Sequence, residues 1–184
     1  MSYLKNAFLH FKTISHHRKL VRKGCFKVGL YKQGLLHDLS KYSPDEFFVG
    51  VKYFQGFRSP NNAEREDIGY SSSWLHHKGR NKHHYEYWVD YNYRSEPENL
   101  IIPVKMPDKY LAEMVMDRIA ASKTYNGADY KDSDSLNYYL LGKGKVPINK
   151  ETGDELEKIL RILANEGEEA MYKYVRTEVL HRKS

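Results

Sequence analysis

The sequence predicts an all-α protein: a packed array of helices with one small β-hairpin. Apolar residues recur at three- and four-residue spacing along most of the chain. That periodicity lapses only between Val89 and Val104, where Tyr91, Tyr93, Leu100, Ile101, Ile102 and Val104 favour extended structure around the turn-forming Ser95-Glu96-Pro97-Glu98-Asn99. At 184 residues, 40% apolar and 14% aromatic, the chain suits a single domain over 1–184 with its own core.

The first helix is expected from Tyr3 to about Arg22, with Leu4, Phe8, Phe11, Ile14 and Val21 as its apolar positions. His17 falls three after Ile14 and four before Val21, so it is expected on the core side. His10, seven residues earlier, is expected to be partly exposed, and His16 and His181 fully so. A second helix is expected over Phe26 to Leu39. Ser43-Pro44-Asp45-Glu46 then has the signature of a helix start, with Ser43 as cap, Pro44 in the first turn and Glu46 three after the cap. That third helix would carry Phe47, Phe48, Val51 and Phe54. Gly56 to Asn62 is expected as loop, Ala63 to His77 as helix, and helix again through Tyr85, Glu86 and Trp88, with Asn81 as its cap. Pro107-Asp108 opens a helix with Leu111, Met114, Val115 and Ile119 inward and a stop at Asn126-Gly127. Further helices are expected at Ser133 to Leu141 and Gly153 to Leu180, the latter broken at Gly167.

No run of eighteen apolar residues occurs, and MSYLKNAFLHFKTISHH lacks the uninterrupted apolar stretch of a secretory signal, so a cytoplasmic location is expected. The single cysteine, Cys25, can form neither an internal disulfide nor a thiolate cage and is expected as a small buried apolar residue. A metal here must be held by imidazole and carboxylate. The net charge of +6 favours anionic partners such as phosphorylated metabolites or nucleic acid.

The segment HHKGRNKHH places four of nine histidines, His76, His77, His83 and His84, within nine residues. An adjacent pair, His37-Asp38, stands at the end of an apolar helix. Adjacent helical residues point about 100° apart, so the pair must sit near a helix end for both to reach one ion. Within the acidic pattern Glu113-Met114-Val115-Met116-Asp117, Asp117 lies three after Met114 and four before Ala121, on the inward stripe. A buried carboxylate needs a partner, and a metal ion supplies one.

These residues resemble the HD-domain metal-dependent phosphohydrolases, helical proteins whose ligands come in the order His, His-Asp, distant Asp. Here that order reads His17, His37-Asp38 and Asp117. Lys41 resembles the lysine that often follows the His-Asp pair, and the two-metal members add histidines where His76, His77, His83 and His84 stand. The chain also resembles an uncharacterised group of bacterial and phage proteins sharing the HDLSK and HHK-to-HH segments. The glycine-tyrosine-proline signature of the cyclic-dinucleotide-cleaving subgroup is absent after HHKGRNKHH.

The resemblance implies metal-dependent hydrolysis of a small phosphorylated compound such as a nucleotide, with Asp38 and Lys41 as catalytic residues. His17, His37, Asp38, His77, His84 and Asp117 are the expected metal ligands. Asp108 is the alternative last ligand, but it is placed to serve the N-terminus of its helix. Lys41, Lys78, Arg80, His76 and His83 are the expected substrate contacts. One or two ions of manganese, iron, cobalt, nickel or zinc suit this nitrogen and oxygen donor set. Two other readings remain open: a nucleic-acid-binding module, from the basic run Lys78 to Lys82 beside Tyr85, Tyr87, Trp88, Tyr91 and Tyr93, and an iron protein performing oxygen chemistry on the same scaffold.

Overall fold

A computed structural model describes residues 2–93 and 100–181. The turn expected at 95–99 lies outside them. The described residues form nine α-helices and one two-stranded antiparallel sheet. None of these helices is long and apolar enough to cross a membrane.

Helix α1 spans Tyr3–Lys27, capped by Ser2, whose hydroxyl accepts from the Lys5 amide. Its buried stripe is His10, Ile14, His17, Val21 and Gly24, alternating steps of four and three residues. The stripe differs from expectation at its start: Leu4, Phe8 and Phe11 are exposed, at 81%, 63% and 49%, and His10 is buried instead. The first turns of α1 lie beside α3, and its later turns run along α6. Gly24 permits the close approach to α6, since a Cβ there would stand 2.8 Å from the Met116 sulfur.

The expected second helix is shorter, because α1 continues to Lys27 and Gly29, at φ 81°, breaks the chain before α2 (Tyr31–Leu36). A 3₁₀ turn over Leu39–Tyr42 leads to α3 (Pro44–Lys52). Ser43 takes the cap position as expected, but its side chain makes no capping bond, and Glu46 is turned inward rather than back to the cap. The helix expected over Ala63 to His77 is two, α4 (Pro60–Ile68) and α5 (Ser72–Lys78), separated at Gly69, φ 84°. The loop before them is correspondingly shorter than Gly56 to Asn62. Helix does not resume after Gly79. Tyr85–Tyr87 is a single 3₁₀ turn, and Asn81 caps no helix.

Strands β1 (Val89–Tyr91) and β2 (Ile101–Pro103) pair with Asp90 opposite Ile102. Tyr85 and Trp88 pack against the core, whereas Tyr91 and Tyr93 are exposed. Helix α6 (Asp108–Asn126) is buried on nearly every side between Leu111 and Met116. After it come α7 (Asp134–Gly142), α8 (Lys150–Glu166) and α9 (Glu168–Tyr174), with the expected break at Gly167, φ 85°. Asn149 caps α8 by accepting from the amides of Glu151 and Thr152. Leu156, Ile159, Leu160 and Leu163 make its fully buried face. They close one contiguous apolar core with Val21, Met114, Val115, Met171 and Val175. Cys25 is a buried free thiol within that core, as expected.

Candidate metal centre

Where α1, α3, α5 and α6 meet the α2 corner, polar residues replace the apolar core. His17, His37, Asp38, His77, His83 and Glu113 are all buried there. The corner itself comes from Asp38, the one described non-glycine residue with positive φ, at 53° with ψ 30°. Asp and Asn tolerate this left-handed conformation better than other side chains do. Arg18 braces the corner from α1, donating from Nε to the His37 carbonyl at 2.7 Å and from its terminal nitrogen to the Leu35 carbonyl at 3.1 Å. The reversal turns both members of the His-Asp pair toward the same centre, which a continuous helix would prevent.

The Asp38 carboxylate divides between two groups of donors. Its Oδ2 lies 3.7 Å from His17 Nε2 and 3.3 Å from His37 Nε2, and Asp117 Oδ1 closes that group at 2.9 Å from His17 and 3.4 Å from His37. Its Oδ1 lies 3.3 Å from His77 Nε2 and 3.4 Å from His83 Nε2, while His84 Nε2 is 2.9 Å from His77 Nε2. Within each group all four donor atoms lie within 4.8 Å of one another. Tetrahedral ligands about 2.1 Å from one ion are about 3.4 Å apart, so either group could hold an ion with small adjustments.

A second tier of carboxylates orients the rings. Glu113, one turn before Asp117 on α6, accepts from His37 Nδ1 at 2.9 Å and lies 3.2 Å from His83 Nδ1. Glu46 on α3 accepts from His77 Nδ1 and from His76 Nδ1, each at 2.7 Å. Protonation of Nδ1 toward a carboxylate leaves the Nε2 lone pair pointing inward, the tautomer that a metal ligand requires. The Nε2 atoms of His37 and His83 and Oδ1 of Asp38 are buried with no hydrogen-bond partner. Orphaned polar atoms are rare in a buried setting, and these, one in the first donor group and two in the second, fit bound ions better than apolar contacts.

The electrostatics follow the same division. Burial disfavours the Asp38 and Asp117 carboxylates, yet the neighbouring imidazoles, with Lys41 beside Asp38, outweigh it and hold both well below the ordinary carboxyl range. Burial likewise opposes a charge on His37, but Asp38, Asp117 and Glu113 overcome it and raise its pKa well above 6.5. His84 is pushed well down by burial and by His83 and His77. The Lys41 ammonium stands 2.6 Å from Asp38 Oδ2, which outweighs burial and makes it more basic than usual.

The structure brings His17, His37, Asp38, Lys41, His77, His84 and Asp117 together. It also brings in His83, expected as a substrate contact, as a fourth member of the second donor group. Asp108 is exposed at the first turn of α6, away from the centre. His76 turns onto Glu46 and Asp45 and does not face the donor groups. Lys78 is half-buried and Arg80 exposed, the latter donating to the His76 carbonyl at 3.3 Å. Asn81 ties the segment down, donating to Ser40 Oγ and to the His77 carbonyl, both at 2.8 Å.

Glu46 and Glu113 were not among the expected site residues. Spacing carried a signal for Glu113, four residues before Asp117, whereas the capping pattern at Ser43 concealed Glu46.

A cavity of about 620 Å³ opens onto the centre. His17, His77, His84 and Asp117 form its floor, and Lys41, Arg58, Trp74, Tyr85 and Arg118 are among its walls. His10 also lines it. Burial and, second, the Lys41 charge lower the His10 pKa to about 4, so its ring is neutral at physiological pH.

Fold and centre together define an all-α protein with a buried, carboxylate-braced cluster of histidines and aspartates. Residues 6–162 match the model of a family described as "Family of unknown function (DUF5662)", and the chain belongs to that family. No curated protein and no solved structure matches it.

Proposed function

We propose that this protein is a metal-dependent hydrolase of phosphate esters, acting on a small phosphorylated compound such as a nucleotide. The observation that carries the reading is the division of one buried carboxylate, Asp38, between two four-donor groups whose imidazoles are backed by Glu46 and Glu113. His17, His37, Asp38 and Asp117 would hold one divalent transition-metal ion, and Asp38, His77, His83 and His84 a second. The order His17, His37-Asp38, Asp117, with Lys41 three after the Asp, is similar to that of HD-domain phosphohydrolases and supports the same reading. Manganese, iron, cobalt, nickel or zinc suits this donor set, whereas magnesium rarely takes so many imidazoles.

When bound, such ions lower the pKa of a coordinated water toward neutrality and draw charge from a phosphoryl oxygen. The protein's part is positional. Glu113 and Glu46 fix the ring tautomers, Arg18 fixes the His-Asp corner, and Lys41 supplies a cation beside Asp38 for a phosphoryl oxygen. A cavity of about 620 Å³ falls in the range of small-molecule sites, roughly 300–1,000 Å³.

Elemental analysis of untagged protein prepared without chelator, beside Asp38→Ala, tests the proposal. The expected result is about two equivalents, one per donor group, lost in the folded variant, with phosphate released from esters or nucleotides by the wild type alone. Absence of metal after reconstitution with manganese, iron or zinc would sink it. An oxygen-dependent optical change in iron-loaded protein that releases no phosphate would assign the centre to oxygen chemistry instead.

A second reading, nucleic-acid binding, draws on Tyr91 and Tyr93, which are 62% and 73% exposed near Arg80 and Lys82 in sequence. It requires affinity for single strands that falls with salt at a log-log slope of roughly −0.7 per phosphate contact.

A further inference from the structure

Three basic side chains, Lys41, Arg58 and Arg118, line the cavity. Two of them are engaged. Lys41 is held on Asp38 at 2.6 Å. Arg58 forms a bidentate pair with Glu66 at 2.7 and 2.6 Å and also donates to Gln55 at 2.6 Å.

Arg118 differs from both. Among the described residues it makes no hydrogen bond or ion pair, and its Nε is buried without a partner. An unpaired guanidinium at a partly buried wall is costly, because its donors lose water and gain nothing in return. Arg118 directly follows Asp117 on α6, so its backbone is fixed by the same helix that delivers a carboxylate to the donor groups. Side chains one residue apart on a helix diverge by about 100°, which sends Asp117 to the cavity floor and Arg118 to the adjoining wall. A planar guanidinium presents five donors in a fork that matches the oxygens of a phosphate or carboxylate.

We infer that Arg118 is an anion-binding residue of this cavity, in addition to Lys41: it takes the oxygens of a phosphate group on the substrate and sets specificity for phosphorylated over neutral compounds. The inference deepens the hydrolase reading and rests on it for the class of substrate. It assigns to Arg118 the role that sequence reasoning gave to Lys78 and Arg80, neither of which lines the cavity.

The test is calorimetric titration of metal-reconstituted protein with inorganic phosphate, with metal content measured on every sample. Arg118→Met should weaken phosphate binding by roughly 10- to 100-fold, as expected for a lost charge-assisted fork, and leave metal content unchanged. Arg118→Lys should recover part of that loss, and Lys78→Ala and Arg80→Ala should bind like the wild type. Should Arg118→Met not fold, phenylglyoxal modification of the wild type, mapped by peptide mass, gives the same information: phosphate should protect Arg118 and leave Arg80 reactive. Equal phosphate affinity in wild type and Arg118→Met, or modification of Arg118 that phosphate does not slow, overturns the inference. Failure of the wild type to hold metal would instead refute the hydrolase reading, and the metal measurement keeps the two failures apart.

Discussion

Glu113 shows how much of the centre depends on a residue that was not itself among the expected ligands. It braces His37 from one donor group and His83 from the other, so one carboxylate orients rings on both sides of Asp38. Replacing it with glutamine keeps the size but removes the charge. Metal affinity in Glu113→Gln should fall by roughly 10- to 100-fold, measured by chelator competition, with the helical circular dichroism unchanged. His10 makes a different kind of demand. Its ring lies against Gly50 on α3, where a Cβ would stand 2.2 Å from Nε2, and between Phe47 and Phe54. Gly50→Ala must therefore displace a buried ring, and a loss of about 1–3 kcal/mol in denaturant unfolding is expected. An unchanged midpoint would mean that the ring swings into the cavity at no cost.

At the scale of elements, the α4–α5 pair owes its sharp turn to Glu64. This buried carboxylate accepts from the Ser71 hydroxyl at 2.6 Å, the Ser72 amide at 3.1 Å and the Ser73 hydroxyl at 3.1 Å, and so fastens the start of α5 to α4. Burial opposes its ionisation, but the serine hydroxyls and the Ser72 amide outweigh it and hold the group below 4.5. A carboxyl depressed in the folded state stabilises the protein above its unfolded pKa, and that contribution disappears as pH falls through the folded value. Stability should therefore drop on acidification below about pH 4.5, and Glu64→Gln should lack this part of the slope. At neutral pH the variant should lose about 1.5–3 kcal/mol, the worth of hydrogen bonds to a charged group. Thermal melts from pH 3 to 7 would show both effects. Since His77 sits on α5, loosening this anchor should also raise the metal off-rate.

For the whole molecule, the centre joins α1, α3, α5 and α6 to the α2 corner, so a ligand there ties together segments that are distant in sequence. His17 meets Asp117 across 100 residues and His37 meets Glu113 across 76. Metal bound only by the folded state should add about 2.7 kcal/mol at a concentration 100 times its dissociation constant. Chelation should lower the melting temperature, and re-addition of metal should restore it. The same equilibrium depends on pH. His37 carries a raised pKa without metal, so a proton competes for its Nε2 beyond the ordinary imidazole value of 6.5. Metal affinity should keep rising above pH 6.5 and not level off there; a plateau from pH 6 upward would mean that no proton competes with metal for His37 above the ordinary imidazole range.

Local sequence determined the helical class, the caps and breaks at Pro44, Gly127 and Gly167, and the inward placement of His17 and Asp117. Those features depend on neighbours three and four residues apart, which a linear pattern contains. The order His17, His37-Asp38, Asp117 was legible only through its resemblance to that of HD-domain phosphohydrolases, since no local spacing links residues so far apart. Tertiary structure decided the rest. Leu4, Phe8 and Phe11 continue a helical pattern yet stay exposed, because α1 turns His10 and Ile14 rather than this face inward. Glu46 fits a capping pattern yet turns to His76 and His77, because α5 packs on α3. His83 joined the donor atoms while His76 left them, and Arg118 rather than Lys78 or Arg80 reached the cavity. Spacing within a helix fixes the direction of a side chain, but convergence on a point depends on which distant elements pack together.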